Sequence, residues 1–290
     1  MMKEKMSKLK IAIQKSGRLS ESSRTLFEEC GIKLSNGAGT LKVVASNFPI
    51  EILFLRDDDI PQYVEQGVAD IGIVGENMAF EKNKEVDILE QLGFAVCRLS
   101  LAISKDENYS GPGFFMNKRV ATSYPRLLGE YLIKNDITAT VEGISGSVEI
   151  APGVGLADAI CDIVSSGSTL LMNGLKEVET IMKSQAVIIA NRYILPEKKL
   201  ILEKLLFRIR AVKNARENKY ILLNAPREAI AEICRILPGM KSPTILPLAE
   251  EGWCSLHSVV KEDEFWERID QLKNAGAEGI LVIPIEKMVL

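Results

Sequence analysis

Short apolar runs alternate with amphipathic stretches through the first hundred residues, and that alternation leaves few folds open to the chain. Residues 9–13, 51–55 and 70–74 read as strands. Residues 22–30 repeat their apolar positions at helical spacing and stop at Gly31, a residue free to take the left-handed turn that closes a helix. Pro61 opens another helix, because its fixed φ and missing N–H suit a first turn. A rhythm of this kind predicts an α/β fold with an open, mostly parallel sheet covered on both faces. A second α/β unit starts near residues 101–104 and contains residues 119–121 and a helix around Tyr131. Residues 186–190 form a strand-like run with no obvious partner in that unit, so the chain is expected to return to the first. After Pro196, Leu202, Leu205, Leu206, Ile209 and Val212 recur at helical spacing and predict a long connector, with Lys204, Arg208, Arg210 and Lys213 as its solvated face. The remainder reads strand, helix, strand, strand, helix, strand, the βαββαβ order of a ferredoxin-like domain.

Composition narrows the classes. A chain of 290 residues holds two or three compact units. With 47% apolar residues and a net charge of −3 it is an ordinary globular sequence, without the basic field that nucleic-acid partners require. The five cysteines are widely spaced and read as buried reduced thiols. The charged start, Met1 to Lys8, has no apolar export segment, and no run is long enough to span a membrane, which points to a cytoplasmic protein. His257 is the single histidine and falls in a predicted strand, which excludes a Ser-His-Asp triad or a histidine-rich metal centre. No phosphate loop of the G-x-x-x-x-G-K-[ST] type and no G-x-G-x-x-G sequence is present.

Chemistry concentrates between residues 148 and 170. Glu149 is expected at the end of a strand. Asp158 and Asp162, read on a helix, lie one turn apart on a common face. Ser165, Ser166, Gly167, Ser168 and Thr169 follow as a hydroxyl- and glycine-rich turn whose N–H groups and hydroxyls suit a phosphate. Carboxylates for ribose hydroxyls or Mg²⁺ beside a phosphate nest fit a phosphoribosyl group; the plainer reading is a charged helix face followed by an ordinary loop. Lys15 and Arg18 flank Gly17 at the carboxyl end of the first strand, where a cationic turn suits polyphosphate, or is simply solvated; Arg56 faces them as a further candidate. Asp57, Asp58 and Asp59 resemble a metal cluster, but Asp59 ahead of Ile60 and Pro61 reads better as a helix N-cap. Asp70 and Tyr124 are candidates for a nucleotide, with Tyr124 beside the base or packing the cleft wall.

The runs Gln14 to Leu19, Arg56 to Pro61, Gly72 to Asn77, Ala121 to Pro125, Glu149 to Leu170, Pro238 to Leu248 and Gly279 to Lys287 together resemble the long form of the ATP phosphoribosyltransferase family, in the family's order and across nearly the whole chain. The resemblance implies a bilobal catalytic body of the type II periplasmic-binding-protein kind, with residues 1–102 and 185–215 as one domain, 103–184 as the second, and 216–290 as a ferredoxin-like regulatory domain. It implies transfer of a phosphoribosyl group from phosphoribosyl pyrophosphate to N1 of ATP, with Mg²⁺ arriving on the substrates. Glu149 and Asp162 match the acids that hold ribose, with Asp158 beside them or as a structural acid, and residues 165–169 match the 5′-phosphate loop. Lys15 and Arg18 fall to the ATP triphosphate or to pyrophosphate, as catalytic residues with Glu149 and Asp162, and Gly17, Arg56, Asp70 and Tyr124 are candidates for ATP or AMP, AMP being a candidate inhibitor. Asn224, Met240, Ser242, Thr244 and Gly279 match the contacts for histidine as feedback inhibitor, although some relatives carry an acid where Asn224 stands. A homohexamer built from dimers is implied as well. The competing reading is a cytosolic binding or sensor protein of the same bilobal fold.

Overall fold

The computed structural model describes residues 7–35 and 40–290; the first six residues of the charged start lie outside them. The chain divides into two units, residues 1–28 with 32–202 and residues 29–31 with 203–290.

The larger unit holds two sheets. The first contains β1 (Leu9–Gln14), β2 (Lys42–Val44), β3 (Ile50–Leu55), β4 (Ile71–Gly75), β5 (Val86–Gln91) and β11 (Ala186–Asn191), in the order β2-β3-β1-β4-β11-β5. Strands β1, β3 and β4 are parallel, and β11 enters antiparallel between β4 and β5. The second contains β6 (Cys97–Ser104), β7 (Arg119–Thr122), β8 (Thr140–Gly143), β9 (Ala159–Val164) and β10 (Leu175–Ser184), in the order β10-β6-β9-β7-β8. Here β7, β8 and β9 are parallel, and β6, which follows directly from the first lobe, enters antiparallel between β9 and β10. Each lobe thus accepts one reversed strand on arrival from the other, the bilobal type II arrangement. Strand β11 is the returning run expected from sequence.

The two crossings run side by side: Leu92 N–H donates to the Ala186 carbonyl and Ala186 N–H to that of Phe94, each at 2.9 Å. Because β6 belongs wholly to the second sheet, the boundary between lobes falls before Cys97 and not at residue 102. Helices α1 (Arg18–Glu29), α2 (Ile60–Glu65), α3 (Glu76–Lys82), α4 (Pro125–Lys134) and α5 (Ser168–Met172) connect the strands. Fully buried Leu26, Phe27, Ile11, Ile13, Ile50 and Ile52 form the first core, and Leu99, Leu101, Phe115, Val120 and Leu128 the second. Fully burying one such side chain contributes about 1.5–3 kcal/mol.

The connector α6 (Pro196–Glu217) buries Leu202, Leu205, Ile209 and Val212, as the spacing requires. The division between units falls within it, at residue 202 and not at 215. Its basic face is only partly solvated, since half-buried Arg208 donates to the Cys30 carbonyl at 3.2 Å. The second unit continues as β12 (Asn218–Pro226), α7 (Ile230–Ile236), β13 (Thr244–Pro247), β14 (Trp253–Lys261), α8 (Glu262–Asn274) and β15 (Glu278–Pro284). Its antiparallel sheet has the order β13-β14-β12-β15, which is the ferredoxin-like arrangement. Ile221, Leu223 and Ala225 of β12 face a core with Ile233 and Phe265, while Tyr220, Leu222 and Asn224 alternate onto the other face.

Candidate active site

The parallel strands of both lobes end at one cleft, where open α/β sheets offer loops to ligands. In the first lobe β1 delivers Lys15 and Ser16, and β3 delivers Arg56 and Asp57. In the second, β7 delivers Ser123 and Tyr124, β8 delivers Ile144 and Ser145, and β9 delivers residues 165–169. Two cavities result. One, about 280 Å³, is lined by Arg18, Glu149, Asp162 and residues 163–170. The other, about 600 Å³, is lined from both lobes, among others by Lys15, Arg56, Asp57, Met78, Lys82, Ser123 and Ser145.

In the smaller cavity Gly167 sits at φ +81, a left-handed conformation that a side chain would strain. That turn starts α5 and leaves the first N–H groups of the helix without intrahelical partners, ready for an anion. The Ser166 and Ser168 hydroxyls lie 2.9 Å apart, and Ser168 N–H points to Ser166 Oγ at 3.4 Å. Arg98 braces the loop from behind, donating to the Ser165 carbonyl at 3.2 Å while two of its guanidinium nitrogens hold Glu177. The Arg98 hydrogen bonds keep Glu177 below the usual carboxylate range, so the brace is charged at neutral pH. Asp162 is largely removed from solvent. Burial, and secondarily the Glu149 charge, push its carboxyl above the ordinary value, although the Ile163 N–H at 2.8 Å opposes them.

Several positions differ from expectation. Glu149 lies in a short 3₁₀ turn, Val148–Ile150, and not at a strand end. Residues 159–164 are strand β9 and not helix, because Ile160 and Cys161 are wholly buried on a central parallel strand, where both faces are covered and no alternation shows. Asp162 nevertheless reaches the cavity, near the carboxyl end of β9. Asp158 precedes the opposite end, where Arg119 hydrogen bonds lower its pKa and Arg119 Nη2 contacts it at 3.0 Å; it is a structural acid away from the phosphate loop. Asp70 lies likewise at the amino end of β4, buried, accepting from Lys10 N–H at 2.7 Å and paired with Lys198 at 2.8 Å, so it is spent on the fold. Asp59 caps no helix with its side chain; residues Asp57–Asp59 form a 3₁₀ turn ahead of α2. Tyr124 is only 8% exposed, packed in the second core, so its ring is wall and offers no face to a base. Gly17 lines neither cavity; at φ +92 it makes the turn whose carbonyl receives Glu21 N–H at 3.1 Å.

Sequence reasoning passed over Asn77. Its amide donates to the Tyr124 hydroxyl at 2.9 Å, its carbonyl oxygen accepts from Ser184 at 2.8 Å, and its N–H donates to Ser184 Oγ at 3.0 Å. This one side chain therefore joins first lobe, second lobe and crossing strand. Gly75 makes room for it, since a Cβ there would stand 2.4 Å from Asn77 Oδ1. Both residues belong to the Gly72 to Asn77 run, which was legible as a motif but not as a tie between the lobes. Lys82 and Met78 had no sequence signal at all. Among the described residues no group of three or more His, Cys, Asp or Glu is arranged for a metal ion.

In the C-terminal domain Met240, Ser242 and Thr244 line a cavity of about 500 Å³ with Tyr220, His257 and Met288. The Tyr220 hydroxyl and His257 Nδ1 lie 2.7 Å apart. Asn224 and Gly279 are not in this cavity: they neighbour each other further along β12 and β15, so the five expected contacts form two groups within one chain.

The ATP phosphoribosyltransferase family profile matches residues 56–211, and the profile named HisG, C-terminal domain matches residues 215–287. The ATP phosphoribosyltransferase of Cytophaga hutchinsonii is 62% identical over 281 residues, covering 97% of this chain and 98% of the relative. That of Bacteroides thetaiotaomicron is 58% identical, covering 97% and 100%. Among solved structures, the ATP phosphoribosyl transferase (HisG:HisZ) complex from Thermotoga maritima matches with a TM-score of 0.60 and 30% identity, over 70% of this chain and 98% of that one. The L-arginine-bound Tv2483 matches with a TM-score of 0.50 and 12% identity, over 72% and 86%, a likeness of fold alone. With the cleft and the added C-terminal domain, these matches show that the chain belongs to the ATP phosphoribosyltransferase family in its long form, a pentosyltransferase of histidine biosynthesis.

Proposed function

We propose that the smaller cavity takes phosphoribosyl pyrophosphate and the larger one ATP. N1 of ATP then attacks C1 of the sugar as pyrophosphate leaves. The observation that carries this is the meeting of Arg18, from the first lobe, with Glu149, Asp162 and residues 165–169 of the second around one cavity. Ser165, Ser166, Gly167, Ser168 and Thr169 receive the 5′-phosphate, Glu149 and Asp162 accept from the ribose hydroxyls, and Arg18 offsets the charge of the departing pyrophosphate. Lys15, Arg56 and Lys82 bind the nucleotide's phosphates. No side chain needs to act as nucleophile, because the chemistry asks chiefly for two substrates held in line and for separated charge to be stabilised. The acids of the cleft do not build a metal cage, so Mg²⁺ is read as entering on the substrate phosphates, the ion's usual habit.

The reading is tested with Glu149→Gln and Asp162→Asn. Each removes a charged hydrogen-bond partner worth about 1.5–3 kcal/mol, so kcat/KM for phosphoribosyl pyrophosphate falls roughly tenfold to a hundredfold with the melting temperature kept. Wild-type kcat/KM in both variants, measured by release of pyrophosphate, refutes the sugar-site assignment.

Histidine is proposed to act through the cavity bearing Met240, Ser242 and Thr244, with Asn224 and Gly279 completing a contact to a neighbouring subunit. Support for an oligomer comes from the uncovered sheet face, where Leu281 and Ile283 stand exposed on the side opposite the domain's own core. A cytoplasmic location is proposed in keeping with the biosynthetic role; among the described residues no helix is long and apolar enough to cross a membrane.

A further inference from the structure

Asp57 is the one side chain among the described residues that carries a buried polar atom with no hydrogen-bond partner, its Oδ1. A carboxylate oxygen in that condition is costly to hold, and native structures keep such groups for a reason, a catalytic role among them. Asp57 lines the larger cavity, alongside apolar Leu55, Met78 and Ile144 and the cations Lys15, Arg56 and Lys82. Its neighbourhood is also fixed from the other side. The Tyr124 hydroxyl, anchored by Asn77, feels the charges of Asp162 and Asp57, one acid lining each cavity. On the reading that the sugar sits at Asp162 and the nucleotide in the larger cavity, Asp57 is an acid of the nucleotide's own cavity, within reach of an adenine edge turned toward C1.

We infer that Asp57 accepts the hydrogen bond of the adenine 6-amino group and takes its proton when N1 is alkylated. The lone pair of N1 forms the bond to C1, and the bond from C1 to the pyrophosphate oxygen breaks with its electron pair leaving on pyrophosphate. The adenine ring then carries a positive charge, which makes the adjacent amino N–H acidic. Asp57 receives that proton, leaving a neutral imino base and a carboxylic acid that later returns the proton to water. Burial and the neighbouring Asp58 raise the Asp57 pKa to about 6, with Lys82 opposing, so the group is ionised at neutral pH yet basic enough to accept. Lys15, Arg56, Asp58 and Lys82 are the other ionisable groups that line the same space.

The full-length enzyme is tested as Asp57→Asn and Asp57→Ala, with ATP and with purine riboside triphosphate, which lacks the 6-amino group. The asparagine retains an acceptor but not a base, so the KM for ATP is kept while the single-turnover rate falls at least tenfold and loses its acid limb near pH 6. The alanine also loses the hydrogen bond. Wild type binds ATP tighter than the analogue by roughly tenfold to a hundredfold, and Asp57→Ala binds the two alike. A wild-type turnover rate in Asp57→Asn, or unchanged discrimination in Asp57→Ala, overturns the inference, as does a defect cured by raising Mg²⁺, which assigns the carboxylate to the metal. Arg56→Ala run in parallel separates the two levels: lost ATP binding there with normal Asp57 variants removes only Asp57, whereas normal binding in all three removes the nucleotide cavity.

Discussion

Asp57 also leaves a thermodynamic signature that requires no substrate. Its carboxyl is harder to ionise in the folded protein than in the unfolded chain, about 6 against 3.8. Its contribution to stability is thus fully present below about pH 3.8 and is lost as pH rises through about 6. Asp57→Asn removes that loss. The variant is expected to match wild type near pH 4 and to exceed it by about 1–3 kcal/mol at pH 8, read from urea melts at both values. An equal gap at both pH values contradicts the buried, unpaired carboxyl. The acids of this chain show how far residue identity alone carries. Glu149, Asp162 and residues 165–169 stood out in the sequence as acids ahead of a Ser/Gly turn, and they line one cavity. Asp70 and Asp158 carry the same charge, yet each is held by a basic side chain, Lys198 or Arg119, from a distant part of the sequence. Nothing local separates an acid awaiting a ligand from one already satisfied.

The elements were legible wherever a single period decided them, as in α6 and the βαββαβ tail. They were misread where two periods overlap: residues 158 and 162 share a face on a helix and on a strand alike, and burial on both sides erased the alternation that would have told β9 apart. The brace behind the phosphate loop was invisible for a related reason, since Arg98 and Glu177 meet only once β6 and β10 are paired. Because Arg98 holds the Ser165 carbonyl, Arg98→Met is expected to raise the KM for phosphoribosyl pyrophosphate roughly threefold to tenfold while leaving that for ATP alone, the loss of one modest hydrogen bond. Steady-state kinetics with each substrate varied in turn checks this. Equal loss for both substrates would instead mark a general loosening of the second sheet.

At the scale of the whole molecule, the cleft lies in one unit and the Met240, Ser242 and Thr244 cavity in the other. On the proposed reading, inhibition by histidine is a coupling free energy between two sites, and substrate must weaken histidine binding by the factor that histidine weakens substrate binding. Ser242→Leu combined with Thr244→Val is expected to shift the histidine inhibition curve at least tenfold without lowering uninhibited activity, measured in an oligomer shown intact by light scattering. An unmoved curve takes that loop out of the mechanism. The reciprocal exchange of strands has a further consequence during synthesis. The second lobe is one continuous stretch, Cys97 to Ser184, and its five-stranded sheet is complete once that stretch has left the ribosome. The first lobe is emitted earlier but finishes later: β5 pairs with no strand except β11, so it waits unpaired on the nascent chain until Asn191 emerges. The lobe that begins translation is the one that closes last, and the exposed edges of β4 and β5 are what a chaperone would meet in the interval.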